Sequence, residues 1–145
     1  MAYITNAMIE ERLGTAVYVQ LTDDDGNGVA NTGVVDEARL AAEGEVNSYL
    51  AARFAVPLNL AAYPDLSGVI VSITLDLAEY RLRARRPPIS GTAVKRRAHA
   101  MEWLARAATG SIELPAAVPP STIRAGGAAV AGNERVLSRE EMSDF

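Results

Sequence analysis

The run Asp23, Asp24, Asp25, Gly26, Asn27, Gly28 carries part of a calcium-binding loop. Asp23, Asp25 and Asn27 stand at its positions 1, 3 and 5 and Gly28 at position 6, where hard oxygen donors and a sharp turn are needed. The twelfth position, which should hold a bidentate glutamate, is Val34, so a solvated turn is the better reading. His99 is the only histidine and there is no cysteine. One chain can therefore build neither a multi-histidine nor a thiolate metal site, and it has no Cys nucleophile. A Ser-His-Asp arrangement would have to use His99, and Ser90, Ser111 and Ser138 lack the G-x-S-x-G context of a nucleophile elbow. The Gly127 to Gly132 spacing matches part of a phosphate loop, but Asn133-Glu134 replaces Lys-Ser/Thr and no strand pattern precedes it. No catalytic set emerges; the expectation is a protein that is not an enzyme, with no cofactor and no metal.

The remaining candidate is basic. Seven of the fourteen Lys and Arg residues are Arg81, Arg83, Arg85, Arg86, Lys95, Arg96 and Arg97. Cations at a helix end oppose its dipole, yet seven in so short a stretch exceed what a dipole needs. The functional reading is contact with nucleic-acid phosphate or an acidic protein surface. The acidic residues lie elsewhere, with Asp23, Asp24 and Asp25 near the front and Glu134, Glu140, Glu141 and Asp144 near the end. Such segregation suits a surface that meets something acidic, such as a neighbouring copy. The formal net charge of −4 argues against a protein that coats nucleic acid over its whole surface.

These residues need elements to position them. Leu66 to Arg86 reads as a helix apolar on most of its circumference: Leu66, Ile70, Ile73, Leu77, Tyr80 and Ala84 form one stripe and Val71, Leu75, Ala78 and Leu82 another. Only Asp76, Glu79 and Arg83 are left as a polar seam. Such a helix sits in the middle of something, wrapped by its own chain or covered by another copy. Pro87-Pro88 stops it. Ahead of it come a short helix with Met8, Ile9 and Leu13 as its buried edge, capped by Thr5 or Asn6 and ended by Gly14, and a turn holding Ala16, Val17, Val19 and Leu21. A longer helix follows from about Val34 to Phe54, in which Gly44 would permit a close crossing. After the prolines, Ser90 or Thr92 caps a last helix to Thr109, with Val94, Ala98, Met101, Leu104, Ala105 and Ala108 as its apolar face; Trp103 and Tyr80 read as core. The sequence thus predicts an all-α fold, a small bundle of about four helices with a long central one over residues 1–110, and an extended C-terminal arm over 111–145. The arm's Pro115, Pro119, Pro120 and small-residue run separate the bundle from a last apolar cluster, Val136, Leu137, Met142 and Phe145, which needs a partner to hold it. With 49% hydrophobic residues, much of it alanine, the core is expected to be thin. No signal peptide or membrane-span pattern is present, which suits a soluble, non-secreted protein.

The order of parts resembles the small head-tail connector (adaptor, or head-completion) proteins of tailed bacteriophages, in the family typified by a Mu-like prophage neck protein. The residues that carry it are Tyr3-Ile-Thr with Glu11-Arg12-Leu13-Gly14, Gln20 to Asp24, Tyr49-Leu-Ala-Ala-Arg-Phe54 with Val56-Pro-Leu58, Asp76 to Leu82, Ala100 to Leu104 with Thr109 to Leu114, and Arg135 to Arg139. The Tyr49 to Leu58 segment is the most specific.

The resemblance implies a helical virion protein of the phage neck, made in the bacterial host cytoplasm, that docks as a ring under the portal and extends the DNA channel towards the tail. Its implied partners are the portal protein, the neighbouring neck or tail-completion protein, further copies in a dodecameric ring, and packaged DNA without sequence specificity; no membrane is implied. The contacts expected to serve these partners are the seven basic residues and the apolar cluster at Val136, Leu137, Met142 and Phe145. The alternative is a small DNA-binding regulator, with the Pro87-Pro88 corner as a helix-turn-helix variant.

Overall fold

A computed structural model describes residues 2–115 and 118–121. Among them are five α-helices, a single 3-10 turn at Leu60–Ala62, and no strand: α1 (Asn6–Leu13), α2 (Thr15–Thr22), α3 (Thr32–Leu50), α4 (Pro64–Ala84) and α5 (Gly91–Thr109). The fold is all-α, as the sequence predicts. No helix among the described residues is long and apolar enough to cross a membrane.

Local chemistry sets the helix ends. Thr5 Oγ1 accepts from the Met8 N–H, Asn31 Oδ1 from Gly33 and Val34, and Ser90 Oγ from Ala93, each satisfying donors that a helix start leaves unpaired. Pro64 opens α4 with Asp65 in its first turn. Gly14 and Gly110 close α1 and α5 at φ of 80° and 86°, a region costly for any residue with a Cβ. The expected turn at Ala16 to Leu21 is a full helix, α2. It buries Tyr18 and Leu21 while Ala16 is exposed.

The central helix is wrapped by its own chain: α4 touches α1, α2, α3 and α5 as well as the 3-10 turn. It runs two residues earlier than predicted at both ends. The supposed polar seam is internal, since Glu79 is buried and Asp76 half-buried. Leu66, Ile70, Ile73, Leu77 and Leu82 join Ile4, Ile9, Val35, Val46, Leu50 and Leu104 in one core. Ala38, Ala42, Ala78, Ala100 and Ala107 fill the same cluster, and such small side chains let helix axes approach closely.

Two expected faces are corrected. In α5 the buried positions are Ala93, Ala100, Leu104 and Ala107, while Ala98 and Ala105 are exposed and Val94 is 47% exposed. The helix is turned by about one residue because alanine marks neither face. Gly44 makes no close crossing either: it is exposed, and a Cβ built there meets nothing within 4 Å. Gly44→Ala should therefore stabilise the fold by about 0.5–1 kcal/mol, by removing backbone freedom from the unfolded chain. A urea midpoint that falls instead would contradict this.

The Tyr49 to Leu58 segment knots the bundle together. Leu58 N–H donates to the Tyr3 hydroxyl, which donates to Asn47 Oδ1. Phe54 and Leu58 are buried, and Arg53 donates to the Ala107 and Ile112 carbonyls. The chain after α5 packs against this knot. Val118 is 5% exposed and Leu114 lies on the core. Ala55 N–H donates to Pro119 O (2.9 Å) and Ser121 N–H to Arg53 O (2.8 Å), with Phe54 and Pro120 forming an isolated antiparallel bridge. The Gly127 to Gly132 run, Val136, Leu137, Ser138, Met142 and Phe145 lie outside the described residues.

Candidate partner interface at the arginine corner

The basic residues gather where α4 ends, the chain turns at Pro87-Pro88 and α5 begins, as the sequence predicts. Six of the seven are not free, because three carboxylates each hold two of them. Glu45 of α3 accepts from Arg81 (2.8 Å) and lies 3.7 Å from Arg97, whose guanidinium stacks over the Tyr80 ring. Glu79 accepts from Arg83 (2.8 Å) and Arg96 (3.2 Å). Asp24 accepts from Arg85 (2.6 Å) and Arg86 (3.2 Å), while the Leu21 and Asp23 carbonyls take a further bond from each. The Arg85 hydrogen bond leads the causes that hold Asp24 below the usual carboxylate range. Lys95 is exposed and pairs with none of the described residues.

This arrangement revises the charge reading. One residue of the acidic front, Asp24, meets the basic corner within one molecule, and the other two carboxylates are Glu45 of α3 and Glu79 of α4. Sequence inspection missed it because Asp24 and Arg85 lie 61 positions apart, and Glu45 and Arg81 36. The corner's arginines pair with carboxylates at the surface, their side chains 27–46% exposed.

Glu79 is the centre of a larger cluster. Its side chain is 5% exposed and also lies 3.6 Å from Arg12 of α1, which bonds in turn to Asp76. Three helices are therefore pinned at one carboxylate. Burial, the leading cause, holds Asp76 above its ordinary value of 3.8; Arg12 and Arg96 oppose the shift and Glu79 adds to it. Because the raised value belongs to the fold, this contribution to stability is intact below the ordinary value and is lost as pH rises through the raised one. Asp76→Asn, which stays neutral, should thus gain on the wild type in urea titrations as pH rises from below the ordinary carboxylate value through the raised one. A difference that does not vary with pH would refute this.

The other sequence candidates are placed plainly. Asp23 accepts from the backbone N–H groups of Gly26, Asn27 and Gly28, and its carboxyl is held low chiefly by the Gly28 bond. Its oxygens are spent on shaping the turn. His99 is exposed on α5, and Ser90 is used as a cap. No group of three or more potential metal ligands occurs among the described residues.

Beside the arginine corner a cleft of about 370 Å³ opens between α3, α4 and the start of α5. Val34, Ala38, Ala41, Tyr80 and Ala84 line it with apolar surface, and Arg81, Arg85, Arg97, Glu37 and Glu45 provide its charge.

The described residues thus form a helical bundle pinned by ion pairs, with exposed apolar side chains on α3, α4 and α5. The family described as Bacteriophage Mu, Gp36 matches residues 3–131. The chain belongs to that family, and so to the structural and morphogenesis proteins of Mu-like phages. No curated protein matches it.

Proposed function

We propose that the protein is a head-tail adaptor of the phage neck, a subunit without catalytic activity. Copies join into a ring that docks on the portal, extends the DNA channel and offers its far side to the next neck or tail component. The observation that carries this reading is the family match over residues 3–131. The fold supports it in two ways. A bundle whose charges are mostly tied to one another makes a stiff building block. Large apolar side chains also stay exposed on three helices, Leu40 on α3, Val69 on α4 and Val94 on α5, where neighbouring copies would cover them. DNA passing through the channel would meet general phosphate electrostatics and no base readout.

Light scattering tests the reading on the subunit alone, with the portal protein, and with the neighbouring neck protein. The expected result is a ring-sized assembly when the portal is present. A chain that stays at subunit mass in every mixture would overturn it, and saturable, sequence-dependent retardation of short duplexes would favour a regulator instead.

A further inference from the structure

Asn27 is the only asparagine followed by glycine. In that pairing a side-chain amide is open to attack by the next backbone nitrogen, because glycine has no Cβ to stand in the way. Asn27 is exposed in the loop between α2 and α3, and a Cβ built at Gly28 meets nothing within 4 Å. Such an attack needs the carbon Asn27 Cγ turned towards the backbone ahead of it, a donor for the negative charge that develops on Oδ1, and a Gly28 nitrogen able to give up its proton.

The loop supplies the first two and withholds the third. Asn27 Oδ1 accepts from the Val29 N–H at 2.9 Å. That bond folds the side-chain amide over the following backbone and sets a donor within the range that stabilises an oxyanion. Gly28 N–H, however, donates to Asp23 Oδ2 at 2.7 Å, while Asp23 Oδ1 takes the N–H groups of Gly26 (2.8 Å) and Asn27 (3.2 Å). A charge-assisted bond of this length is strong, and a nitrogen deprotonated there would face an anion. The Asp23 carboxyl is held low chiefly by this same bond, so it is a poor acceptor for the proton.

We propose that Asn27 is a site of spontaneous deamidation that Asp23 holds shut in the folded protein. When the bond to Asp23 opens, Gly28 N bonds to Asn27 Cγ and Nδ2 leaves as ammonia, carrying the Gly28 proton. Water then opens the cyclic imide at either carbonyl, giving aspartate or isoaspartate. Either product adds a carboxylate beside Asp23, Asp24 and Asp25, and isoaspartate lengthens the backbone of the loop that presents Asp24 to Arg85 and Arg86.

The test incubates the full chain at neutral pH and follows Asn27 by peptide mass spectrometry, with Asn31 and Asn47 as references in the same molecule. Asp23→Asn preserves size, but its NH2 group cannot accept, so it cannot serve Gly26 and Gly28 together. Asp23→Asn and Asp23→Ala should each deamidate about tenfold faster than the wild type, and Asp25→Ala no faster. Circular dichroism verifies that the helices persist in all three. The wild type in guanidinium, where the loop's bonds are gone, should likewise react about tenfold faster or more. Unchanged rates in the Asp23 variants or in guanidinium would overturn the proposal, as would equal acceleration in Asp25→Ala. Slower reaction in the Asp23 variants would overturn it too, by showing that the carboxylate takes the proton instead of holding it in place.

Discussion

Replacing Glu79 by alanine is expected to cost the fold about 3–5 kcal/mol, the loss typical when one partner of a buried ion cluster is removed and the other charges remain. The geometry supports the upper part of that range. Glu79 holds Arg83 and Arg96 at hydrogen-bond distance and approaches Arg12 within a side-chain environment only 5% exposed. Arg12 would keep Asp76, but Arg83 and Arg96 would lose their common acceptor between α4 and α5. In a domain of this size the melting temperature should fall by roughly 10 °C or more. Arg83→Ala provides the comparison. Its side chain is 27% exposed, so the remaining groups stay paired and hydrated and the expected cost is about 1 kcal/mol or less. Urea unfolding of both variants checks the contrast, and a Glu79 variant losing less than Arg83→Ala would show that the carboxylate does not hold the helices together.

The second large effect concerns where the bundle can be cut. Ending the chain after Ser121 keeps every contact described here. Ending it after Gly110 removes Val118 and Leu114 from the core and deletes the bonds from Ala55 to Pro119 and from Ser121 to Arg53. Burial of two such apolar side chains, one complete and one partial, is worth about 2–3 kcal/mol, and two backbone bonds add about 1 kcal/mol each. The shorter chain should therefore be less stable than the longer by about 4–5 kcal/mol. Chemical denaturation of the two shortened proteins measures this directly. Coincident transitions would mean that residues 111–121 merely lie on the surface.

What could be read in advance was what local chemistry controls. Thr5, Gly14 and Ser90 announce helix ends because each acts on backbone groups within a few residues. The stripes of α4 were legible because Leu and Ile dominate them. The face of α5 was not, since Ala98 and Ala105 differ from Ala100 and Ala107 only in which neighbour they meet. The candidate site divided in the same way. The cations could be counted, and their position at one corner followed from the prolines. Their carboxylates could not be found, because Asp24 and Glu45 become partners only after α3 and the loop before it fold against α4. The calcium-like spacing has a related explanation: an aspartate at the head of a glycine-rich loop serves the turn's own N–H groups as readily as a cation.

The stitch between Phe54 and Pro120 has one further consequence. Because the strand-like contact is anchored beside the end of α3, a pull on the backbone at Ser121 would be borne by the end of that helix rather than by the side chains of residues 111–115.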